Sequence, residues 1–137
     1  VLGDYILKGS ALERLAEAHT VPSEFIEYYK EQGQEIPLHF QDPITRERRS
    51  FVRPEVSPAD LLGGLEAALD EIDRSSATAG EFTVDGKKVI RERTKPIDVI
   101  YYIPDGTEFN QKFVFDFIPG TNDIAHLYPM GEPVAYP

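Results

Sequence analysis

The chain has no cysteine in its 137 residues. It therefore cannot form disulfides, thiolate metal sites or a cysteine nucleophile. Long hydrophobic runs are also missing: none approaches the roughly 18 residues that a membrane-spanning helix needs, and the N-terminus lacks the basic-then-apolar layout of a signal peptide. From these absences we expect a cytoplasmic protein that does not associate with membranes.

Positive charge is scarce. There are 14 Lys and Arg against 24 Asp and Glu, which gives a formal net charge of -10. Nonspecific nucleic-acid binding is driven by basic surface and counterion release, so we do not expect it. The remaining partner classes are basic proteins and neutral small molecules. With 41% hydrophobic residues, the chain fits one domain, residues 1–137, with one core.

Two helices are predicted near the start of the chain, together spanning residues 10–32. Ser10 and Glu13 have the spacing of a capping box, which predicts the beginning of the first helix. Pro22 or Ser23 opens the second helix and Gly33 ends it. Three residues of the second helix share one face at 3.6-residue spacing and are expected in the core: Phe25, Ile26 and Tyr29.

A strand and a longer helix follow. Residues 36–53 predict a short strand that ends at Asp42, before Pro43, and then either a hairpin return or an extended loop. Ser57-Pro58 predicts the start of a helix over residues 57–75, because it combines a capping serine with proline at the first helical position. The apolar stripe of this helix consists of Leu61, Leu62, Leu65, Leu69 and Ile72.

The second half of the chain predicts an antiparallel meander over residues 80–128, after a flexible link. Asp85-Gly86 supplies the positive φ angles of a tight hairpin turn, and further turns are predicted at 104–106 and 120–123. The tail at 129–137 is too rich in proline to continue the sheet. The predicted fold class is α+β.

The order of these pieces resembles the nuclear transport factor two-like superfamily, which includes SnoaL-like cyclases and ketosteroid isomerases. The resemblance rests on Gln41-Asp42-Pro43 after the helical pair, on residues 84–94, and on Asn122-Asp123-Ile124 at the last strand. It implies a cone-shaped fold, in which a strongly curved antiparallel sheet wraps three helices around an apolar pocket. It also implies a homodimer and a small apolar ligand. We expect no cofactor and no metal.

The same resemblance implies a function and a site. In ketosteroid isomerases the aspartate before proline is the general base, and Asp42 matches that position. A partly desolvated carboxylate at the mouth of an aromatic cavity would have a raised pKa, which suits proton transfer. We expect a general acid/base lyase or isomerase, cyclase- or dehydratase-like, with His126 and Tyr101 as the other catalytic residues. The expected substrate contacts are Phe40, Tyr29, Arg93 and Phe115.

Other interpretations stay open. Asp42 also fits a simple turn cap, and His126 also fits a structural histidine. The whole chain also fits a noncatalytic module that binds a ligand or a protein, such as an acidic immunity-type inhibitor of a basic toxin. Residues 15–37 resemble the helix-turn-helix of MerR-type DNA-binding regulators, but Glu27 occupies the position where that family has an arginine. An enclosed pocket in which Asp42 meets a histidine or tyrosine would indicate an enzyme.

Overall fold

The structure, a computed structural model, describes residues 2–41, 48–84 and 86–135. The predicted α+β class is confirmed. The helices are α1 (Gly9–His19), α2 (Ser23–Glu31) and α3 (Pro58–Asp70), and a 3-10 turn spans Arg74–Ser76. The strands are β1 (Ile6–Leu7), β2 (His39–Gln41), β3 (Arg48–Ser50), β4 (Thr78–Val84), β5 (Lys87–Arg93), β6 (Ile97–Tyr102), β7 (Glu108–Phe117) and β8 (Asp123–Ala135). No helix in these ranges is long and apolar enough to cross a membrane.

Helix α3 begins as its sequence predicts. The Ser57 hydroxyl accepts a hydrogen bond from the Asp60 amide at 3.1 Å, and Pro58 is the first helical residue. The helix ends at Asp70, earlier than predicted, because the chain turns into the 3-10 segment that follows Asp73. The predicted stripe is confirmed, with three fully buried leucines along it: Leu61, Leu65 and Leu69.

Helices α1 and α2 depart from two predictions. The predicted capping box is absent, because the Ser10 hydroxyl donates to the carbonyl of Ala125 at 2.7 Å and so ties α1 to β8. Helix α2 begins after Pro22, as predicted, but none of its residues is buried. The expectation that its apolar face belongs to the core is wrong, since α1 and α3 supply the helical side of the core. This applies to Phe25, Ile26 and Tyr29.

The main sheet is mixed and open. Its strand order is β1-β8-β7-β5-β4, and β6 also pairs with β7. Strands β6 and β5 share one edge of β7, β6 along residues 97–102 and β5 only at residues 92–93. The prediction of a simple antiparallel meander is therefore wrong, because β5 does not pair with β6 and β1 runs parallel to β8. A two-residue strand such as β1 leaves no recognisable sequence pattern.

Two element boundaries in the sheet also differ from prediction. Strand β4 already begins at Thr78, inside the predicted flexible link. Strand β8 continues to Ala135, through the tail that was expected to leave the sheet. Pro129 lies opposite Phe113 of β7. Proline has no N–H to donate, so it is tolerated in a strand whose other edge has no partner at that position. In the described chain, the other edge of β8 is paired only with β1, at residues 123–124.

The predicted return after the first strand is a hairpin. β2 and β3 pair antiparallel, with His39 opposite Ser50 and Gln41 opposite Arg48. The connection at 42–47 lies outside the described residues. A hydrogen bond holds the segment after β3 against the main sheet: the side-chain amide of Gln111 on β7 donates at 3.0 Å to the Phe51 carbonyl.

The core lies between the sheet and helices α1 and α3. Alternate residues of β7 point into it, and Phe113, Phe115 and Phe117 are fully buried there. Helix α3 crosses β6 at very close range, since a Cβ atom placed on Gly64 would lie 2.3 Å from the Ile100 carbonyl oxygen. The space between helices and sheet, where the resemblance implies an apolar pocket, holds a packed hydrophobic cluster in the described residues.

Candidate functional site

A groove of about 740 Å³ lies where α1 gives way to α2. Its lining comes from residues 19–21, from α2, and from segments 34–38 and 53–55. We call this cavity the helical groove. Its apolar lining consists of Val21, Ile26, Ile36, Leu38 and Pro54.

Hydrogen bonds to other parts of the fold hold the floor of the helical groove in place. The Leu38 amide donates to Glu132 Oε1 of β8 at 3.1 Å, and the Leu38 carbonyl accepts from the Phe51 amide at 2.7 Å. The Arg53 amide donates to the Tyr101 hydroxyl at 3.2 Å. Because these contacts reach the sheet and the core, the groove is formed before any ligand arrives.

A few charged groups interrupt the apolar lining. Arg53 Nε donates to Glu55 Oε2 at 2.8 Å, and the Arg53 guanidinium also lies 5.0 Å from the ring centroid of Phe109. Lys30 and Glu35 also line the groove and form no ion pair with another described residue. An apolar cavity with few polar groups is typical of sites for small, mostly apolar molecules.

Helix α2 has a second face, which packs on the β2–β3 hairpin. The Phe25 ring meets the Phe40 ring edge-on with centroids 4.9 Å apart, and Tyr29 lies 6.4 Å from Phe40. The Phe40 ring also stacks on Phe51 at 6.1 Å. Two expected substrate contacts, Tyr29 and Phe40, are thus brought together, in an aromatic cluster that joins α2 to the hairpin.

A second set of polar residues lies on the opposite face of the sheet. Phe115 and Phe117 point into the core, so Asp116 between them points away from it. The strand register sets Arg93 of β5 and His126 of β8 opposite Asp116. Arg93 donates from Nε to Oδ1 at 2.7 Å and from Nη2 to Oδ2 at 2.9 Å, and His126 Nδ1 lies 3.5 Å from Oδ2. The Asp116 side chain is fully inaccessible to solvent.

The charge state of Asp116 follows from these contacts. Burial raises the pKa of this carboxyl, but the hydrogen bonds from Arg93 and the contact with His126 lower it more, so the pKa lies below its ordinary value. The hydrogen bonds to Asp116 in turn raise the pKa of Arg93. The guanidinium also lies 4.2 Å from the ring centroid of Phe82. The result is a buried, ionised pair beside a histidine.

His126 lines a polar cleft of about 280 Å³. The other walls are polar residues of α1 and one side of β5. We call this cavity the β5 cleft. Its charged residues are Glu13, Arg14, Glu17, Lys87 and Arg91.

The predicted catalytic residues do not meet in the described chain. Tyr101 is 1% exposed in the core, where its hydroxyl donates to Gln111 Oε1 at 2.9 Å and burial raises its pKa to about 12. His126 lies on the opposite face of the sheet, with Arg93, another predicted site residue. Phe115, an expected substrate contact, is fully buried in the core. Asp42 lies outside the described residues.

Sequence reasoning missed both cavities. The helical groove is built from segments far apart in the chain, which no local pattern connects. Alternation along β7 correctly separates Asp116 from the phenylalanines, but the burial of Asp116 depends on Arg93 and His126 of neighbouring strands. Among the described residues, no group of three or more His, Asp or Glu side chains is placed to hold a metal ion.

The exposed surface of helix α2 is acidic, which argues against the helix-turn-helix interpretation. Helices α1 and α2 are separated by a short connection, as that resemblance implies. Three acids of α2, Glu24, Glu27 and Glu31, are exposed, with Lys30 as its one basic residue. This distribution disfavours an approach to phosphates.

Comparison of the chain with protein-family models, with curated proteins and with solved structures gave no match. The superfamily resemblance therefore rests on the sequence motifs.

Proposed function

We propose that the protein binds a small, mostly apolar molecule in the helical groove. The observation that carries the proposal is the groove itself, whose volume of about 740 Å³ lies within the range of about 300–1,000 Å³ common for small-molecule sites. Ile26 is a large aliphatic residue of α2 that stays 41% exposed at the groove. A bound ligand would cover it.

The geometry supports binding better than it supports catalysis. Tyr101 lies beneath the groove floor with its hydroxyl engaged by Arg53 and Gln111, and His126 lines the separate β5 cleft. Without a converging acid/base pair in the described residues, a noncatalytic ligand-binding module is the simpler function. The lyase or isomerase activity led by Asp42 stays a prediction from the resemblance.

We further propose that the domain adopts the cone of the nuclear transport factor two-like superfamily. Two observations support this. After the two-residue strand β1, the order of elements is a helical pair, a hairpin, a helix and then strands β4 to β8, which is the order that the resemblance implies. The β2–β3 hairpin, a separate two-stranded sheet, also contacts β8, the last strand of the chain.

The homodimer implied by the resemblance would use the sheet face that carries the outward side chains of β6 and β8. Four large apolar residues are exposed on that face: Ile100, Tyr102, Met130 and Val134. The Asp98–Lys112 ion pair lies in the same patch, and a two-fold copy could exchange these partners across the interface. Light scattering should give a dimer mass for the wild type and a monomer mass for Val134→Lys. A monomeric wild type at high concentration contradicts the proposal.

The ligand proposal is tested by a thermal-shift screen of small carbonyl and terpenoid compounds. A compound present at about 100 times its Kd should add about 2.7 kcal/mol of stability. Ile26→Arg puts a charge into the groove at an exposed position and should abolish the shift. Leu12→Arg is the matched control, because Leu12 is a 49% exposed helical residue outside the groove.

Two outcomes of this screen would count against the groove. One is that no compound stabilises the wild type; the other is that stabilisation survives Ile26→Arg. The same hits test the activity prediction: product formation by the wild type that disappears in Asp42→Asn would establish an enzyme. Hits that bind but are not converted would support the noncatalytic module.

A further inference from the structure

We propose that the β5 cleft is a second binding site, for a small oxyanion such as a carboxylate or a phosphate, held by Arg91, Lys87 and His126. This cleft shares no lining residue with the helical groove. The inference therefore goes beyond the proposed apolar ligand and does not depend on it.

The first argument is an excess of unpaired positive charge in an acidic protein. Of the three cations at the cleft, only Arg14 forms an ion pair with a described residue, donating from Nη1 to Glu17 at 3.2 Å. Lys87 and Arg91 have no such partner in the described chain, against one remaining acid, Glu13. Two free cations facing one small cleft attract an anion.

The second argument is an unsatisfied donor. Arg91 Nη1 donates to the Ile90 carbonyl at 2.9 Å, but the buried Nε finds no hydrogen-bond partner among the described residues. Buried donors are rarely left unpaired, and an oxyanion accepts from an arginine at two nitrogens. The residue opposite Arg91 on β4 is Gly80, which has no side chain to crowd the guanidinium.

The third argument is the convergence of the donors. Lys87 and Arg91 lie four residues apart on β5, so they share one face at a spacing of roughly 13 Å, which long side chains can close. His126 enters from β8 with its side chain 17% exposed. The three groups therefore reach one volume from two strands.

The charged groups around His126 are Glu13, Arg14 and Glu17 from α1, Lys87 and Arg91 from β5, and the Arg93–Asp116 pair. Its Nδ1 lies 3.5 Å from Asp116 Oδ2.

The test is a proton NMR titration of the histidine rings with sodium acetate and, separately, with inorganic phosphate, at constant ionic strength. His126 should shift with a saturating curve, and the exposed His39 on β2 serves as the internal control. Lys87→Gln should weaken binding about fivefold, as expected for one partly exposed charge. Lys88→Gln is the matched control, because Lys88 is the exposed neighbour on the other face of β5.

The two anions distinguish three kinds of site. Saturation by acetate alone identifies a carboxylate site, by phosphate alone a phosphate site, and by both a general oxyanion site. A linear shift with both anions overturns the proposal, as does an equal loss of affinity in Lys87→Gln and Lys88→Gln. Both lysines are exposed, so neither change threatens folding.

Discussion

Replacing Arg93 by methionine should weaken the fold far more than a typical change of a charged residue. The substitution removes the two N–H groups that reach Asp116 at 2.7 and 2.9 Å but keeps much of the side chain's length. Asp116 would remain inaccessible, with His126 Nδ1 at 3.5 Å as the remaining nitrogen beside it. Removing one member of a buried ion pair costs about 3–5 kcal/mol.

The lower end of that range applies here. The Arg93 side chain is 27% exposed, so water screens part of the interaction and the expected loss is about 3 kcal/mol. For a domain of this size, that loss lowers the Tm by roughly 10 °C. Urea unfolding followed by circular dichroism measures it. The control is Lys8→Met, which breaks the surface pair with Asp123 at 3.4 Å, where the Lys8 side chain is 47% exposed.

Lys8→Met should change stability by no more than about 0.5 kcal/mol. If Arg93→Met destabilises no more than this control, the Arg93–Asp116 pair behaves as a screened surface pair and the reasoning fails. A nonpolar double replacement, Arg93→Met with Asp116→Leu, should recover much of the loss, because it leaves no buried charge without a partner.

The pH dependence provides an independent check. In the wild type, burial raises the Asp116 pKa but Arg93 and His126 lower it more, to below the ordinary 3.8. The stability that ionised Asp116 contributes is complete above pH 3.8, the ordinary pKa of the group, and is lost as the pH falls through its lower pKa in the folded protein. In Arg93→Met, burial has the larger effect, so the pKa of Asp116 in the folded protein rises. Protonation of Asp116 in mild acid then removes the cost of burying an unpaired charge. The stability gap between the two proteins should narrow as pH falls; a widening gap would contradict this account.

Two further predictions follow from close contacts in the core. Gly64→Ala should destabilise the fold by about 2 kcal/mol or more, because the added Cβ would lie 2.3 Å from the Ile100 carbonyl oxygen. Gly63→Ala is the control: open space surrounds Gly63, so this change should stabilise the fold by about 0.5–1 kcal/mol. Equal effects of the two changes in urea unfolding would refute the close approach of α3 to β6. Burial raises the Tyr101 pKa from 10.0 to about 12, so the unfolded chain deprotonates first and stability should fall as pH rises from 10 towards 12. Ultraviolet titration of the seven tyrosines should show ionisation that accompanies unfolding. Tyr101→Phe should reduce this alkaline sensitivity and leave the part due to Tyr128, whose pKa burial also raises.

Elements set by short-range interactions could be predicted from sequence. The Ser57 cap, the Pro58 start and the stripe of α3 depend on residues within one or two helical turns. The turns at Gly106 and Gly120 depend on positive φ angles, 89° and 75°, that glycine adopts freely. The alternation along β7 puts its phenylalanines and Asp116 on opposite faces, but alternation alone does not tell which face belongs to the core.

Predictions failed where distant segments compete for the same surface. Helix α2 has an apolar face, yet α1 and α3 occupy the core side of the sheet, so that face packs on the β2–β3 hairpin and borders a groove instead. Strand β8 extends through proline because its register with β7 continues beyond Pro129. Neither outcome is encoded within a few residues.

The sequence by itself determined the α+β class, most helix starts and the turns, because capping hydroxyls and glycine dihedrals act locally. Only the tertiary structure decided which side chains meet. Ser10 bonds to Ala125 across 115 residues, and Asp116 obtains Arg93 and His126 only through the pairing of three strands. The charge of a buried carboxylate depends on such partners, so both candidate cavities are properties of the assembled fold.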